Sequence, residues 1–321
     1  MFRTRFTSLI GCTVPIQQAG MGGVATAELA GAVARAGGLG MIGGVRFPPA
    51  LLAQALTELG PLARQRVGVN FLMPFLNREA VEVGAKLARV VEFFYGDPDA
   101  DLVKLVHAGG ALAAWQVGSL AEAQAAEAAG CDFIVAQGVE GGGHIRGIIG
   151  LYALLDQVLP VVKIPVVAAG GIGTGRAMAA ALAAGADGVR VGTRFVAAVE
   201  SAAHPRYKEL LQRAGPADTV LTEAFSANWP HAPHRALRSA VAAAQAFVGE
   251  YTATAEPFGE PVQIPRLATP CPTRSTAGTI EAMALYAGES VGAVQSIQPA
   301  EAVIAELVAE AQTLLRRLPS T

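Results

Sequence analysis

The stretch Phe133-Ile-Val-Ala-Gln-Gly-Val-Glu-Gly-Gly-Gly-His144-Ile-Arg-Gly147 runs an apolar strand straight into a glycine-rich turn that carries one histidine. Glycines let a backbone approach a ligand closely, and loops at strand ends are where binding and catalytic groups collect. Two more strand ends have the same form. Ala168-Ala-Gly-Gly171-Ile-Gly-Thr174 follows the strand Ile164–Ala168, and Arg190-Val-Gly192-Thr193-Arg-Phe195 closes a strand that begins at Gly188. Three strand ends therefore read as ligand-facing.

Working outward from these three, short β-branched runs alternate with alanine-rich helical segments, the pattern of parallel βα units. The candidate strands are Pro15–Ala19, Leu39–Gly43, Val67–Leu72, Val90–Tyr95, Leu112–Val117, Phe133–Gln137, Pro165–Ala169 and Gly188–Gly192. Helix signals fall between them. Pro48 and Pro49 suit a first turn, with Leu52, Leu56 and Leu59 on one face and Gly60 as the stop, and Ser119 with Glu122 forms a capping box. Ala126–Gly138 echoes Ala181–Thr193, each a helix end, a glycine turn and a strand.

Eight such units predict a (β/α)8 barrel, whose active site lies at the carboxyl ends of the strands and whose phosphate site commonly follows strands seven and eight. Gly170, Gly171, Gly192 and Thr193 occupy those places. A doubly wound sheet is the runner-up, but no Gly-x-Gly-x-x-Gly follows the first strand. From Ser201 to Gln298 the βα spacing stops and prolines multiply. That segment is expected to be a mostly helical lid inserted after strand eight. Pro299–Leu318 then supplies the last barrel helix, its apolar face being Ala302, Ile304, Leu307, Val308, Leu314 and Leu315. The expected division is residues 1–200 plus 299–321 for the barrel and 201–298 for the lid.

Composition narrows the partners. A chain of 321 residues, 52% hydrophobic, can bury a full core, and a formal net charge of −2 offers no basic field for nucleic acid. Phe6–Ala27 lacks charge, yet Pro15, Gln17, Gln18 and its glycines fit neither a signal sequence nor a spanning helix. It reads as a loop and a buried strand, so no membrane is expected. Cys12, Cys131 and Cys271 form no metal spacing and no even disulfide set, which fits a reducing cytoplasm, and none reads as catalytic.

Among side chains, Asn70 closes strand three and Gln137 closes strand six, so both amides can reach a flat heterocycle with donors and acceptors on its edge. Turn stabilisation is the ordinary alternative for each. His144 is the histidine that the barrel directs toward the mouth, where imidazole can move a proton or stabilise an anionic oxygen. No nucleophile motif and no metal spacing accompany it. Glu140 is expected to be exposed or paired with Arg146, and His107 to be a surface residue. His231 and His234 fall in the lid, within reach of a substrate or solvated in a loop. Arg190 either pairs with an acidic barrel residue or helps to hold a phosphate.

These motifs, in this order, resemble the flavin-dependent nitronate monooxygenases, formerly called 2-nitropropane dioxygenases. The resemblance rests on Pro15-Ile-Gln-Gln-Ala-Gly-Met21, Gly31-Ala-Val-Ala-Arg-Ala-Gly-Gly-Leu-Gly40, Gly68-Val-Asn-Phe71, Gln137–His144, Ala168–Ile172 and Val191–Phe195, with a weaker echo at Ala284–Gly292. It implies FMN bound noncovalently, with Ala19, Gly20, Met21 and Gly22 beside the ring, and Asn70 and Gln137 in contact with it. It also implies Gly142 and Gly143 close by, and Gly170, Gly171 and Arg190, Val191, Gly192 and Thr193 around the phosphate. His144 matches the active-site histidine. The implied reaction oxidises alkyl nitronates with oxygen to carbonyl compounds and nitrite. Enoyl-acyl-carrier-protein reductases and NAD(P)H:quinone reductases share the framework, and the Glu200–Lys208 stretch is similar to the former. Trp229–Arg238 and Tyr286–Gly292 are closer to the monooxygenases. The expected partners are a small-molecule substrate and oxygen, and the chain leaves room for a homodimer.

Overall fold

The computed structural model describes residues 2–317. Eight parallel strands form one sheet: β1 (Ile16–Gln18), β2 (Gly40–Gly43), β3 (Val67–Leu72), β4 (Val90–Phe94), β5 (Leu112–Val117), β6 (Phe133–Gln137), β7 (Val166–Ala169) and β8 (Gly188–Val191). Neighbours pair in sequence order from β2 to β8, β8 pairs with β1, and a bridge between Gln17 and Leu39 closes the ring. The expected barrel is present, with strand ends within one residue of expectation.

Side-chain alternation builds two shells. Phe133 and Val135 point into the barrel with Leu39, Met41, Val90 and Val167, while Ile134 and Ala136 join the larger core between strands and helices. The amino-terminal end is plugged by the helix Arg5–Ile10, whose Phe6 meets Phe133 edge-on at 5.5 Å. This helix stands where a loop is expected from the sequence. Its Thr4 and Thr7 side chains cap it reciprocally, and Gly11 ends it at φ +89. At Ser119 only half of the expected capping box forms. Its hydroxyl accepts from Glu122 N, but the Glu122 carboxylate accepts from Gly118 N–H.

The helix Ala300–Leu315 packs between Gly175–Ala183 and Ala27–Arg35, where an eighth barrel helix belongs. Its expected end at Leu318 lies outside the described residues. Gly175 permits that packing, because any side chain there would press on the backbone at Leu307 and Ala311.

The inserted segment corrects one expectation, for it is not mostly helical. It contains the helices Pro205–Gln212 and Arg238–Ala246, but also the antiparallel strands Thr219–Thr222, His234–Leu237, Tyr251–Ala255, Val262–Pro265 and Ala277–Gly278. The alternation in Tyr251-Thr-Ala-Thr-Ala255, followed by the turn Pro257-Phe-Gly-Glu-Pro261, is a hairpin pattern that the many prolines obscure. A separate hydrophobic cluster holds the insert together around Tyr207, Phe225, Met283 and Leu285. Among the described residues no helix is long and apolar enough to cross a membrane, and no group of His, Cys, Asp and Glu could hold a metal ion. The three cysteines are free.

Candidate active site

The glycine turn after β6 is drawn up into the insert. Gly143–His144 forms a short strand that pairs with His234–Leu237, placing His144 opposite His234 and Gly143 opposite Arg235. Aromatic side chains then enclose the imidazole. Trp229 stacks on it at 4.1 Å, and His234, Tyr286 and Tyr95 stand at 5.2, 5.5 and 5.9 Å. Tyr95 and Phe75 both pack edge-on against Trp229. Tyr95 takes the left-handed conformation, φ +66, directly after β4. A bulky residue rarely adopts that backbone, and such strain gathers at ligand sites.

The two histidines differ in what they can do. His234 is fully buried, with Nδ1 donating to Ala232 O at 2.9 Å and Nε2 accepting from Phe225 N at 3.2 Å. That pair of bonds admits only the neutral ring, and burial also lowers its pKa. His234 is therefore structural. His144 has a buried Nε2 without a hydrogen-bond partner among the described residues. Burial, with His234 adding to it, pulls the His144 pKa down to about 3.

Because the unfolded histidine titrates near 6.5, the unfolded chain binds a proton that folded His144 refuses between pH 6.5 and about 3. Stability from this group is thus complete above 6.5 and falls as the pH drops, by about 2 kcal/mol at pH 5. The Tm of the wild-type protein should therefore fall between pH 7 and pH 5 more steeply than that of His144→Asn. Parallel slopes would show that the imidazole is solvated.

The remaining expected residues converge on the same mouth, with one exception. Ala19 N–H donates to Val191 O at 3.0 Å, and Gly192 stands beside Ala19. A side chain at Gly20 would run into Asn70, and one at Gly22 into Val45, while the Met21 carbonyl accepts from Ala25 N. Gly138 N–H donates to Ala169 O, which brings Gly170, at φ +108, over the glycine turn. Gly142 abuts Gly288, whose N–H donates to Thr193 Oγ1 at 3.0 Å. The segment Ala284–Gly292 thus seats on the loops after β6 and β8, which accounts for its echo in the sequence. Gln137 Nε2 donates to His144 O at 3.3 Å, and its Oε1 is buried with no donor among the described residues.

Arg190 is the exception. Its guanidinium points into the barrel, paired with Glu92 and donating to Gln116 Oε1 at 2.6 Å and to Gln17 Oε1 at 3.2 Å. Of its two sequence readings, the acidic barrel partner is the one realised. Glu140 corrects a second expectation. It caps the helix Leu151–Val158 by accepting from Leu151 N at 3.0 Å, and Arg146 pairs instead with Asp97 and Glu122. His107 lies exposed beside Asp132, and His231 is exposed in the insert. Glu289 meets Arg235 at 3.2 Å, and its N–H donates to Glu140 O.

Gln137 Oε1 and His144 Nε2 are orphaned polar atoms, each costing about 1–3 kcal/mol unless a ligand satisfies it. Gly170 and Gly171, both at positive φ, and the start of Thr193–Val196 offer bare backbone nearby.

The chain matches the model described as nitronate monooxygenase over residues 3–82 and 65–310. It belongs to the nitronate monooxygenase family. That family comprises flavin-dependent oxidoreductases. Over 270 residues this member is 32% identical to a probable nitronate monooxygenase of Staphylococcus saprophyticus, covering 70% of this chain and 76% of that protein. It is also 36% identical over 247 residues to a (3aS,4S,5R,7aS)-5-hydroxy-7a-methyl-1-oxo-octahydro-1H-indene-4-carboxyl-CoA dehydrogenase of Mycobacterium tuberculosis. That match covers 74% of this chain and 66% of the relative's length. Two solved structures share the whole fold. FabK of Thermotoga maritima superimposes with a TM-score of 0.80 at 32% identity, covering 99% of both chains. Nitroalkane oxidase of Streptomyces ansochromogenes gives 0.78 at 31% identity, covering 97% of this chain and all of that one.

Glu92 and Tyr95 are residues beside this mouth that sequence reasoning does not single out, and Trp229 and Tyr286 enter it only as the first residues of two motifs. For Glu92 a signal exists, a lone carboxylate inside the apolar run Val90-Val-Glu-Phe-Phe94.

Proposed function

We propose that this chain binds FMN across the carboxyl ends of the barrel strands and oxidises alkyl nitronates with molecular oxygen to carbonyl compounds and nitrite. One observation carries the reading: an imidazole kept neutral by burial, walled by Trp229, with an unpaired Nε2. A nitronate is already deprotonated and bears its negative charge on the nitro oxygens. The site must then supply a preorganised N–H donor in a water-poor pocket, where such a donor acts strongly. A neutral nitroalkane would instead need a base, and an imidazole whose conjugate acid has a pKa near 3 is a poor one. Nitronates are accordingly the preferred substrates.

FMN, when bound, supplies a two-electron acceptor that oxygen can regenerate. The chain's own residues do the rest. Gly170, Gly171, Gly192 and Thr193 would hold the phosphate end, Ala19–Gly22 would line the ring, and Asn70 and Gln137 would meet its polar edge. Trp229 and Tyr95 exclude water from the substrate. Arg190 acts from below, through Glu92, rather than on the phosphate.

The similarity to FabK and to the CoA dehydrogenase supports a second reading, an FMN-dependent NAD(P)H oxidoreductase acting on an enoyl or other thioester. Anaerobic stopped-flow mixing separates the two. Bleaching of the flavin by ethyl or propyl nitronate, reversed by air with release of nitrite, is the expected result. Bleaching by NADH or NADPH alone would overturn it.

A further inference from the structure

Glu92 stands in the middle of β4 with no exposure, inside the barrel. Its two oxygens accept from three donors on three other strands. Asn70 Nδ2 on β3 reaches Oε1 at 2.7 Å, and Gln17 Nε2 on β1 reaches Oε2 at 3.0 Å beside the Arg190 guanidinium from β8. An ionised carboxylate accepts and cannot donate, so chemistry decides the orientation of the Asn70 amide. The NH2 end faces Glu92. The Oδ1 end lies on the side of Gly20 and takes no donor among the described residues.

We propose that Glu92 is a positioning residue for the cofactor: by holding the Asn70 NH2 group, it presents Asn70 as a hydrogen-bond acceptor, so this point of the mouth takes an N–H edge of a flavin-type heterocycle and turns away a carbonyl edge. The inference rests on the flavin reading above. Were the Glu92–Arg190 pair only a support for the barrel, its loss would lower stability, and any change in ligand affinity would be the same with and without Asn70.

A double-mutant cycle on FMN binding distinguishes these roles, using quenching of FMN fluorescence on titration with flavin-stripped protein that thermal melting shows to be folded. Glu92→Gln should weaken FMN about tenfold or more when Asn70 is present and less than about twofold in an Asn70→Ala background. Equal weakening in both backgrounds, or none in the first, overturns the inference.

Should Glu92→Gln not fold, the wild type provides the second test with an FMN analogue methylated at the N–H of its ring. That analogue should bind the wild type about tenfold or more weakly than FMN does, and bind Asn70→Ala less than about twofold more weakly. Equal loss in both proteins, or none in the wild type, overturns the inference. Wild-type protein that takes up no FMN overturns the flavin reading itself, and this inference with it.

Discussion

Asparagine at position 144 should leave the protein yellow and lower kcat/KM for ethyl nitronate by about a hundredfold or more, the scale on which one preorganised donor to a developing charge acts. The flavin should stay because Gln137 is anchored to the backbone carbonyl of His144 and not to its side chain. Turnover should drop because an asparagine amide reaches only as far as the Nδ1 side of the ring, which vacates the Nε2 position that the site leaves unpaired. The stack with Trp229 is lost as well, so water gains access to the substrate. Flavin-to-protein absorbance and steady-state oxygen consumption are the two readouts. A normal rate with normal flavin content would remove the imidazole from the reaction and leave it a wall of the pocket.

Valine at position 171 should act in the opposite sense, emptying the cofactor site. Gly171 has φ +69, a conformation that costs a β-branched residue about 1–3 kcal/mol. The new Cβ would also stand 3.4 Å from the Glu140 side chain, which caps the helix Leu151–Val158 and whose backbone carbonyl receives Glu289 N–H. That contact is tolerable, so the cost is the backbone strain, which sits next to Gly170 over the glycine turn. FMN affinity should fall about tenfold or more, and the purified protein should be mostly colourless. Gly171→Asn, which tolerates the left-handed backbone, should retain more flavin than Gly171→Val. Full occupancy in the valine variant would show that the backbone here is not a cofactor cradle.

Both predictions depend on residues that stand out in the amino-acid sequence, and the reason is local. A strand buried on both faces must be a continuous apolar run, and a turn at positive φ must use glycine. Val67–Leu72, Leu112–Val117 and Phe133–Gln137 therefore appear in the sequence with the limits they have in space. Ser201–Gln298 follows no such repeat, and its prolines conceal the alternation of Tyr251–Ala255. Glu140 and Arg146 invite pairing because they are near in sequence. The true partner of Glu140, Leu151 N, depends on how the loop folds back.

The eight βα units, the glycine turns at the carboxyl ends of β6, β7 and β8, and the histidine in the first of these turns can all be read along the chain, because each is written in residues a few positions apart. Three-dimensional folding sets the rest: Arg190 turns inward to Glu92, 98 positions away, Asn70 donates to that same Glu92, and Trp229 and His234 close over His144. The physical reason is that burial and hydrogen bonding act through space. Closing the barrel and folding the insert over it bring together charged and aromatic groups that the chain holds far apart.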